Sequence, residues 1–485
     1  MRSGWLLFGL ALAGLGLGGS AIADEKKDEK KPARPNVLFI ASDDLNHWVG
    51  YLGRNKQTKT PNIDRLADRG VRFTRSYCAA PVCNPSRTAL MSGLRPSSTG
   101  IYENDDDGRT VIPTEYSLIT TFRKAGYHTM GAGKIYHAAY DRRDEWDEYA
   151  PREGGDPKPT GDQGVGGIRF APVDAKDEDF ADYKTVSYGI EQLQKKHDKP
   201  FFLAIGLHKP HMPWNVPQKY FDMHPLDSIE LPPIKEDDLD DLPPAALRMA
   251  RPEGDHKNIL ESGRWKEAIQ AYLAAVSFAD AQVGRLIEAL DKSEYADNTI
   301  IVFWGDHGWH LGEKQHWRKF ALWEEATRAP LIWVAPGVTK PNSVCHRTVD
   351  FMSIFPTLTD LAGIPTPSFV EGKTIRPLLE NPEAEWAQPA LTTYNFNNHA
   401  VRTEGWRYIR YNNGDEELYD EIQDPYEWTN LAQKPEFAAK KAELARWLPT
   451  KNTPDINGNR PGKTAAGGPK GKGKGKAQEA KSDAK

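Results

Sequence analysis

Cysteine is scarce, with only Cys78, Cys83 and Cys345 in 485 residues. No disulfide framework holds a fold of that size with so few, and the odd count sets one thiol apart for another task. Asn-x-Ser/Thr acceptors without Pro are absent altogether, which fits a bacterial periplasm or exterior better than a eukaryotic secretory route. An excess of either charge is missing too: 63 Lys+Arg face 68 Asp+Glu, so whole-chain electrostatics point to neither nucleic acid nor an anionic membrane. Beyond the N-terminus no segment approaches the roughly 20 apolar residues that a membrane span requires. These absences predict a mature chain in water, with no nucleic-acid partner and no membrane span. Its function has to be read from local residues.

What is present begins with Arg2, an apolar run from Trp5 to Gly19 and the small residues Ser20, Ala21, Ile22 and Ala23. That is the pattern of a signal peptide over residues 1–23, and it predicts a secreted or periplasmic protein. Residues 24–34, with Glu25, Lys26, Lys27, Asp28, Glu29, Lys30 and Lys31, are too charged to pack and read as a solvated leader. At the far end, residues 451–485 contain the Gly/Lys repeat Lys470 to Lys476. They lack the apolar content to offset ordering entropy and read as a disordered basic tail.

Between these ends, apolar runs alternate with helix-periodic segments, the sign of an α/β fold with a mainly parallel central sheet covered by helices. Asn36–Ser42, Phe201–Leu207 and Thr299–Trp304 read as buried strands, and each stops at polar residues: Asp43-Asp44, His208-Lys209 and Asp306-His307. Ligands of such sheets bind outside the carboxyl ends of the strands, so these stops predict one shared site. From Trp265 to Leu290, Ile269, Leu273, Val276, Val283, Leu286, Ile287 and Leu290 recur at helical spacing and predict a long helix across one sheet face. Later, Trp406 to Tyr411, the turn Asn412-Asn413-Gly414 and Glu417 to Tyr419 predict an antiparallel hairpin. The chain thus divides into a catalytic domain over 35–385 and a small antiparallel C-terminal subdomain over 386–450.

Cys83 opens Cys83-Asn84-Pro85-Ser86-Arg87, followed by Thr88-Ala89-Leu90-Met91-Ser92-Gly93, a loop running into a helix whose N-terminus favours anions. This run resembles the sulfatase signature. Further strings match the family in order: Pro35 to Ile40 ending at Asp43-Asp44, Thr60-Pro61-Asn62-Ile63-Asp64, Gly133-Lys134, Gly305-Asp306-His307-Gly308, Leu418-Tyr419-Asp420 and Asp424-Pro425. Within the family the chain is most similar to iduronate-2-sulfatase-type enzymes. That likeness rests on Gly133-Lys134-Ile135-Tyr136-His137, His208-Lys209-Pro210-His211 and Asp306 to Glu313.

The resemblance implies an alkaline-phosphatase-like α/β fold and a sulfuric ester hydrolase acting on a sulfated carbohydrate. It implies a formylglycine made from Cys83 by a formylglycine-generating maturation enzyme, and one calcium ion held by Asp43, Asp44, Asp306, His307 and the modified Cys83. Carboxylate oxygens are the ligands that suit calcium or magnesium. By the same likeness, Arg87 and Lys134 hold the hydrated aldehyde, His137 acts as a base, and Lys319 with His208 contacts sulfate and the leaving oxygen. His211 belongs with the substrate contacts. Trp309, His310, Trp317, Trp214 and Trp48 offer aromatic faces to a sugar, Trp309 foremost. Asn46 stands where the iduronate type has Arg, a departure that bears on contact with a uronate carboxylate. Two other readings compete: a phosphodiesterase or phosphonate monoester hydrolase of the same superfamily, separated by rates on phosphate esters, and an inactive sulfated-glycan binding protein, separated by binding without turnover.

Overall fold

The computed structural model describes residues 34–137, 140–152 and 154–458. The signal peptide, all but the last residue of the charged leader, and the basic tail from residue 459 onward lie outside the described residues.

The central strand, Asn36–Asp43, shows why the sheet is buried on both faces. All eight of its residues are buried. Leu38 and Ile40 enter one core, and Val37, Phe39 and Ala41 enter the other, the two-residue alternation of a strand covered on both sides. The strand pairs in parallel with Phe201–Pro210 on one side and Thr299–Gly305 on the other. In full, the sheet has eight strands in the order Ser343–Asp350, Val71–Tyr77, Leu331–Val334, Thr299–Gly305, Asn36–Asp43, Phe201–Pro210, His128–Gly133 and Glu148–Tyr149. Leu331–Val334 runs antiparallel to both of its neighbours; the other pairings are parallel.

The long helix spans Trp265–Asp291, and its apolar stripe packs on the first core together with the helices Ala181–Gln194 and Pro61–Asp68. It also caps a neighbour. Asp280 accepts from the backbone N–H groups of Asn62 and Ile63 at 3.0 and 2.8 Å, serving helix Pro61–Asp68, whose own Thr60 makes no capping bond. Thr60 and Asp64 instead accept from the backbone of Gly50 and Tyr51, each at 2.8 Å. The Thr60 to Asp64 string therefore pins the loop that follows Asp43-Asp44.

The predicted hairpin is two strands of a four-stranded antiparallel sheet, Ala390–Thr393, His399–Arg402, Trp406–Arg410 and Glu416–Asp420. That sheet is docked through a buried charge cluster. Arg407 donates to the Leu322 carbonyl at 2.9 Å and pairs with Glu421 at 3.1 Å and with Glu324 and Glu427. Arg402 bridges Glu324 and Glu421 at 3.2 and 3.1 Å.

Of the tail expected over 451–485, residues 451–458 are described, and they pair with the body of the protein. Thr453 N–H donates to Ser97 O at 2.8 Å, Ile456 N–H to Gly100 O at 3.1 Å and Asn457 Nδ2 to Asp106 Oδ1 at 2.6 Å, so backbone pairing orders a segment with little apolar content. All three cysteines are unpaired and buried. Among the described residues no helix is long and apolar enough to cross a membrane.

Candidate active site

Three strand ends build the site. The central strand ends at Asp43, after which Asp44 takes a left-handed conformation, φ 60°. The turn is held because Asp44 N–H donates to Asp306 Oδ1 at 3.0 Å, which ties it to the residue after strand Thr299–Gly305. Tyr272 of the long helix braces it from below: its hydroxyl donates to Asp44 O and accepts from Asn46 N–H, both at 3.0 Å. Tyr272→Phe leaves that buried carbonyl and N–H without partners. We expect it to lower stability by about 1–3 kcal/mol, as measured by urea unfolding.

The third strand end differs from the sequence expectation. His208 and Lys209, placed after the strand, lie within Phe201–Pro210, because the register slips so that Asp43 faces Pro210. Such a bulge re-aims side chains at a sheet edge. Asp182 accepts from the backbone N–H groups of His208 and Lys209 at 2.7 and 2.8 Å and holds the bulge. At the adjoining strand Gly133 has φ 75°, and a Cβ there would lie 2.0 Å from Gly206 O. Only glycine lets the chain turn at that point and send Lys134 back over Asp43.

Cys83 is the first residue of helix Cys83–Ser92. Its Sγ lies 2.9 Å from Lys319 Nζ, 3.4 Å from His307 Nε2 and 3.8 Å from Asp44 Oδ1. Lys319 Nζ also reaches Asp44 Oδ1 at 2.7 Å, and Lys134 Nζ pairs with Asp43 Oδ2. Lys319 sits between two non-glycine residues at positive φ, Arg318 at 78° and Phe320 at 75°. Each such conformation costs about 1–3 kcal/mol. His316 holds the turn by donating from Nε2 to the Lys319 carbonyl at 2.7 Å.

Arg87 braces the strand ends. It is fully buried; Nε donates to Asp306 Oδ2 at 2.9 Å, Nη2 lies 3.4 Å from Asp43 Oδ1, and Nη1 donates to the Lys134 and Ile135 carbonyls.

The electrostatics follow from burying three carboxylates among cations. Burial alone would raise Asp43, but Lys134, His211, Arg87 and Lys319 together hold it well below the usual range. Asp44 is pushed up to about 7 by burial and by its neighbours Asp43 and Cys83, against Lys319. Against its own burial, His307 is raised to about 9 by Asp306 and Cys83. Burial and Asp43 raise the Cys83 thiol, yet Lys134, Lys319 and His307 bring it below its ordinary value.

Ligand atoms of Asp43, Cys83, Asp306 and His307 lie within 4.8 Å of one another, and so do those of Asp43, Asp44, Cys83 and His211. Asp44 Oδ2 is buried without a hydrogen-bond partner. Three converging carboxylates with one oxygen orphaned fit a hard divalent cation. His211, expected among the substrate contacts, stands beside this cluster with Nε2 3.8 Å from Asp44 Oδ2. Nearby, His137 is half-buried, and exposed His208 shares the wall of a cavity of about 250 Å³ with Lys134.

The aromatic expectation is corrected. Trp48, Trp214, Trp309 and Trp317 are all buried in the first core, with Trp309 edge-on to Trp214 at 5.9 Å between centroids, so none offers a free face to a sugar. His310 is fully buried, packed against His316 and Trp323, with Nδ1 on the Glu313 carbonyl at 3.2 Å. Placed there, it cannot touch a substrate.

Comparison with known proteins gives the family. The sulfatase profile matches residues 35–364. The chain belongs to the sulfatase family. A second profile, N-sulphoglucosamine sulphohydrolase, C-terminal, matches residues 312–453. A sulfatase of Formosa agariphila is 40% identical over 468 residues, covering 89% of this chain and 90% of its own length. Human iduronate 2-sulfatase is 31% identical over 424 residues, 76% of each chain. Among solved structures, one in complex with D-glucosamine-2-N,6-O-disulfate aligns with a TM-score of 0.70 at 23% identity, covering 86% of this chain and 97% of its own. A phosphonate monoester hydrolase of Agrobacterium radiobacter aligns at 0.72 and 23%, covering 85% and 94%. The family's chemistry is hydrolysis of sulfate esters, and the fold is shared more widely.

Proposed function

We propose that this sulfatase removes sulfate from a sulfated saccharide outside the cytoplasm, using formylglycine made from Cys83 and a calcium ion held by Asp43, Asp44, Asp306 and His307. The observation that carries the reading is Cys83 at a helix N-terminus, with Lys319 and His307 on its sulfur and three buried carboxylates around it. Formylglycine, once hydrated by one water, would supply two hydroxyls on one carbon, one to attack sulfur and one to expel sulfate, and calcium would supply charge for the sulfate oxygens.

The chain's own residues do the rest. Lys134 and Lys319 are buried cations that stay charged, since Asp43 and Asp44 offset the effect of burial. They neutralise charge building on the sulfate oxygens. Arg87 keeps Asp43 and Asp306 in place. His208 stands at the cleft wall beside Lys134; desolvation and the Lys134 cation hold its imidazole at about 4, so at pH 7 it meets the leaving oxygen as a neutral hydrogen-bond partner. Cys83 is fully buried, so a maturation enzyme meets it before the chain folds. Asn46 donates to the Trp309 carbonyl at 3.0 Å and accepts from Trp48 N–H at 2.9 Å. It serves as a loop brace, so any uronate contact falls to other residues.

His137 is the base. Burial and the Lys134 cation hold its imidazole at about 4, so it is neutral at pH 7 and able to take a proton. As pH falls through about 4 the ring is protonated and the base is lost. The kcat/KM profile should therefore fall on the acid side near that pH, and His137→Gln should lower the plateau and remove this limb.

Mass spectrometry across Cys83, with release of inorganic sulfate from defined sulfated saccharides before and after chelation, tests the whole reading. Unmodified Cys83 in fully active protein, or faster cleavage of phosphonate monoesters than of any sulfate ester, would overturn it.

A further inference from the structure

A groove of about 560 Å³ opens beside the acidic centre. It meets that centre at His211, whose Nε2 is 3.8 Å from Asp44 Oδ2, and at Phe320, the residue after Lys319. Its charge is one-sided. Asp255 is the one carboxylate lining it, and Arg318 already occupies both of its oxygens at 2.5 and 3.4 Å. Arg169 and Arg251 line the same groove and are exposed, and neither side chain has a hydrogen bond or ion pair among the described residues.

The wall around them is closely built. A Cβ on Gly167 would lie 2.2 Å from Arg318 Nη2, and one on Gly166, at φ 54°, would lie 2.9 Å from Asn258 Nδ2. Gly167 therefore leaves room for the Arg318–Asp255 pair, and Gly166 for Asn258. Arg251 follows helix Pro244–Ala250 in the left-handed conformation, φ 53°, which a non-glycine residue seldom adopts. Two unpaired guanidinium groups next to a sulfate-ester centre create a positive potential that a neutral sugar with one sulfate leaves unused. Planar or tetrahedral oxyanions are the groups that guanidinium binds in paired fashion.

We infer that this groove is a subsite for a second anionic group of the substrate, a carboxylate or a second sulfate, gripped by Arg169 and Arg251. The inference rests on the proposed hydrolysis of a sulfated saccharide and narrows the substrate to one bearing at least two negative charges.

The test measures equilibrium binding by calorimetry in the Cys83→Ser background, where turnover does not intervene. Three saccharides are compared that differ only in charge: one with a single sulfate, one with that sulfate and a uronate carboxylate, and one with two sulfates. At least one doubly anionic sugar should bind about tenfold or more tightly than the singly sulfated one. Arg169→Gln with Arg251→Asn, asparagine being tolerant of positive φ, should erase that advantage and leave the singly sulfated sugar within about twofold. Which sugar loses affinity distinguishes carboxylate from sulfate. No advantage for either doubly anionic sugar, or an equal loss on all three in the arginine variant, overturns the inference. The same two arginine changes in the Cys83 protein should leave aryl sulfate hydrolysis unchanged. A wild-type protein that discriminates by charge and releases no sulfate from any ester would sink the hydrolase reading and leave the subsite standing.

Discussion

Replacing Cys83 with serine is expected to leave a folded protein whose steady-state sulfate release falls by about a thousandfold or more, the scale of loss when a nucleophile is removed from an intact site. Serine fits the position, since the sulfur has polar partners in Lys319, His307 and Asp44. What serine lacks is the second oxygen on the same carbon. A single hydroxyl aided by the same cations can capture sulfate once, and the resulting ester has no internal group to expel it. Rapid mixing should therefore show at most one equivalent of alcohol released per enzyme, followed by a halt. Circular dichroism and bound-metal content should match the parent. Sustained multiple turnover by the serine variant would remove the aldehyde from the mechanism, whatever the family resemblance.

Arg407→Met is expected to destabilise the protein by about 3–5 kcal/mol, because removing one partner leaves buried charge uncompensated. Arg407 is fully buried and meets Glu324, Glu421 and Glu427, while Arg402 reaches only the first two of these. With Arg407 gone, Glu427 loses its cation and Glu324 and Glu421 share one. Methionine keeps the unbranched apolar stem and removes the guanidinium end, with its charge and its hydrogen bond to the Leu322 carbonyl. The Leu322 carbonyl and Glu324 lie just after Lys319, so the damage should reach the cleft. Thermal unfolding should show a lowered Tm, with kcat/KM falling at temperatures where most of the protein is still folded. A Tm within a degree of the parent would show that water or rearranged partners replace the guanidinium.

The main strands, the long helix and the C-terminal hairpin were legible because each follows a local rule. Val37 to Ala41 alternate between two cores, and the apolar positions of Trp265–Asp291 recur at helical spacing. The acidic residues were legible because apolar runs stop at them, and parallel strands deliver their ends to one edge. Buried partners were not. Tyr272 and Asp182 support the site from helices that are far away in sequence, with nothing local to mark them as different from core or surface residues. The tryptophans misled for a related reason. An aromatic beside a functional motif looks the same in sequence whether it faces solvent or, like Trp309, folds under against Trp214. Lys209 likewise read as a loop residue, yet its ammonium is buried on the Pro213 carbonyl at 2.8 Å.

The segment that clasps Ser97 and Gly100 has a consequence in time. Its Asn457 binds Asp106, and the Asp106 carbonyl in turn receives Asn84 Nδ2 at 2.8 Å, one residue from Cys83. The surroundings of that cysteine are therefore complete only when residue 457 has left the ribosome. At roughly 5–20 residues per second, the intervening stretch of about 370 residues takes on the order of 20–75 seconds to synthesise. For that interval the thiol remains within reach of whatever acts on nascent chains, and once the end of the chain folds back the opportunity closes.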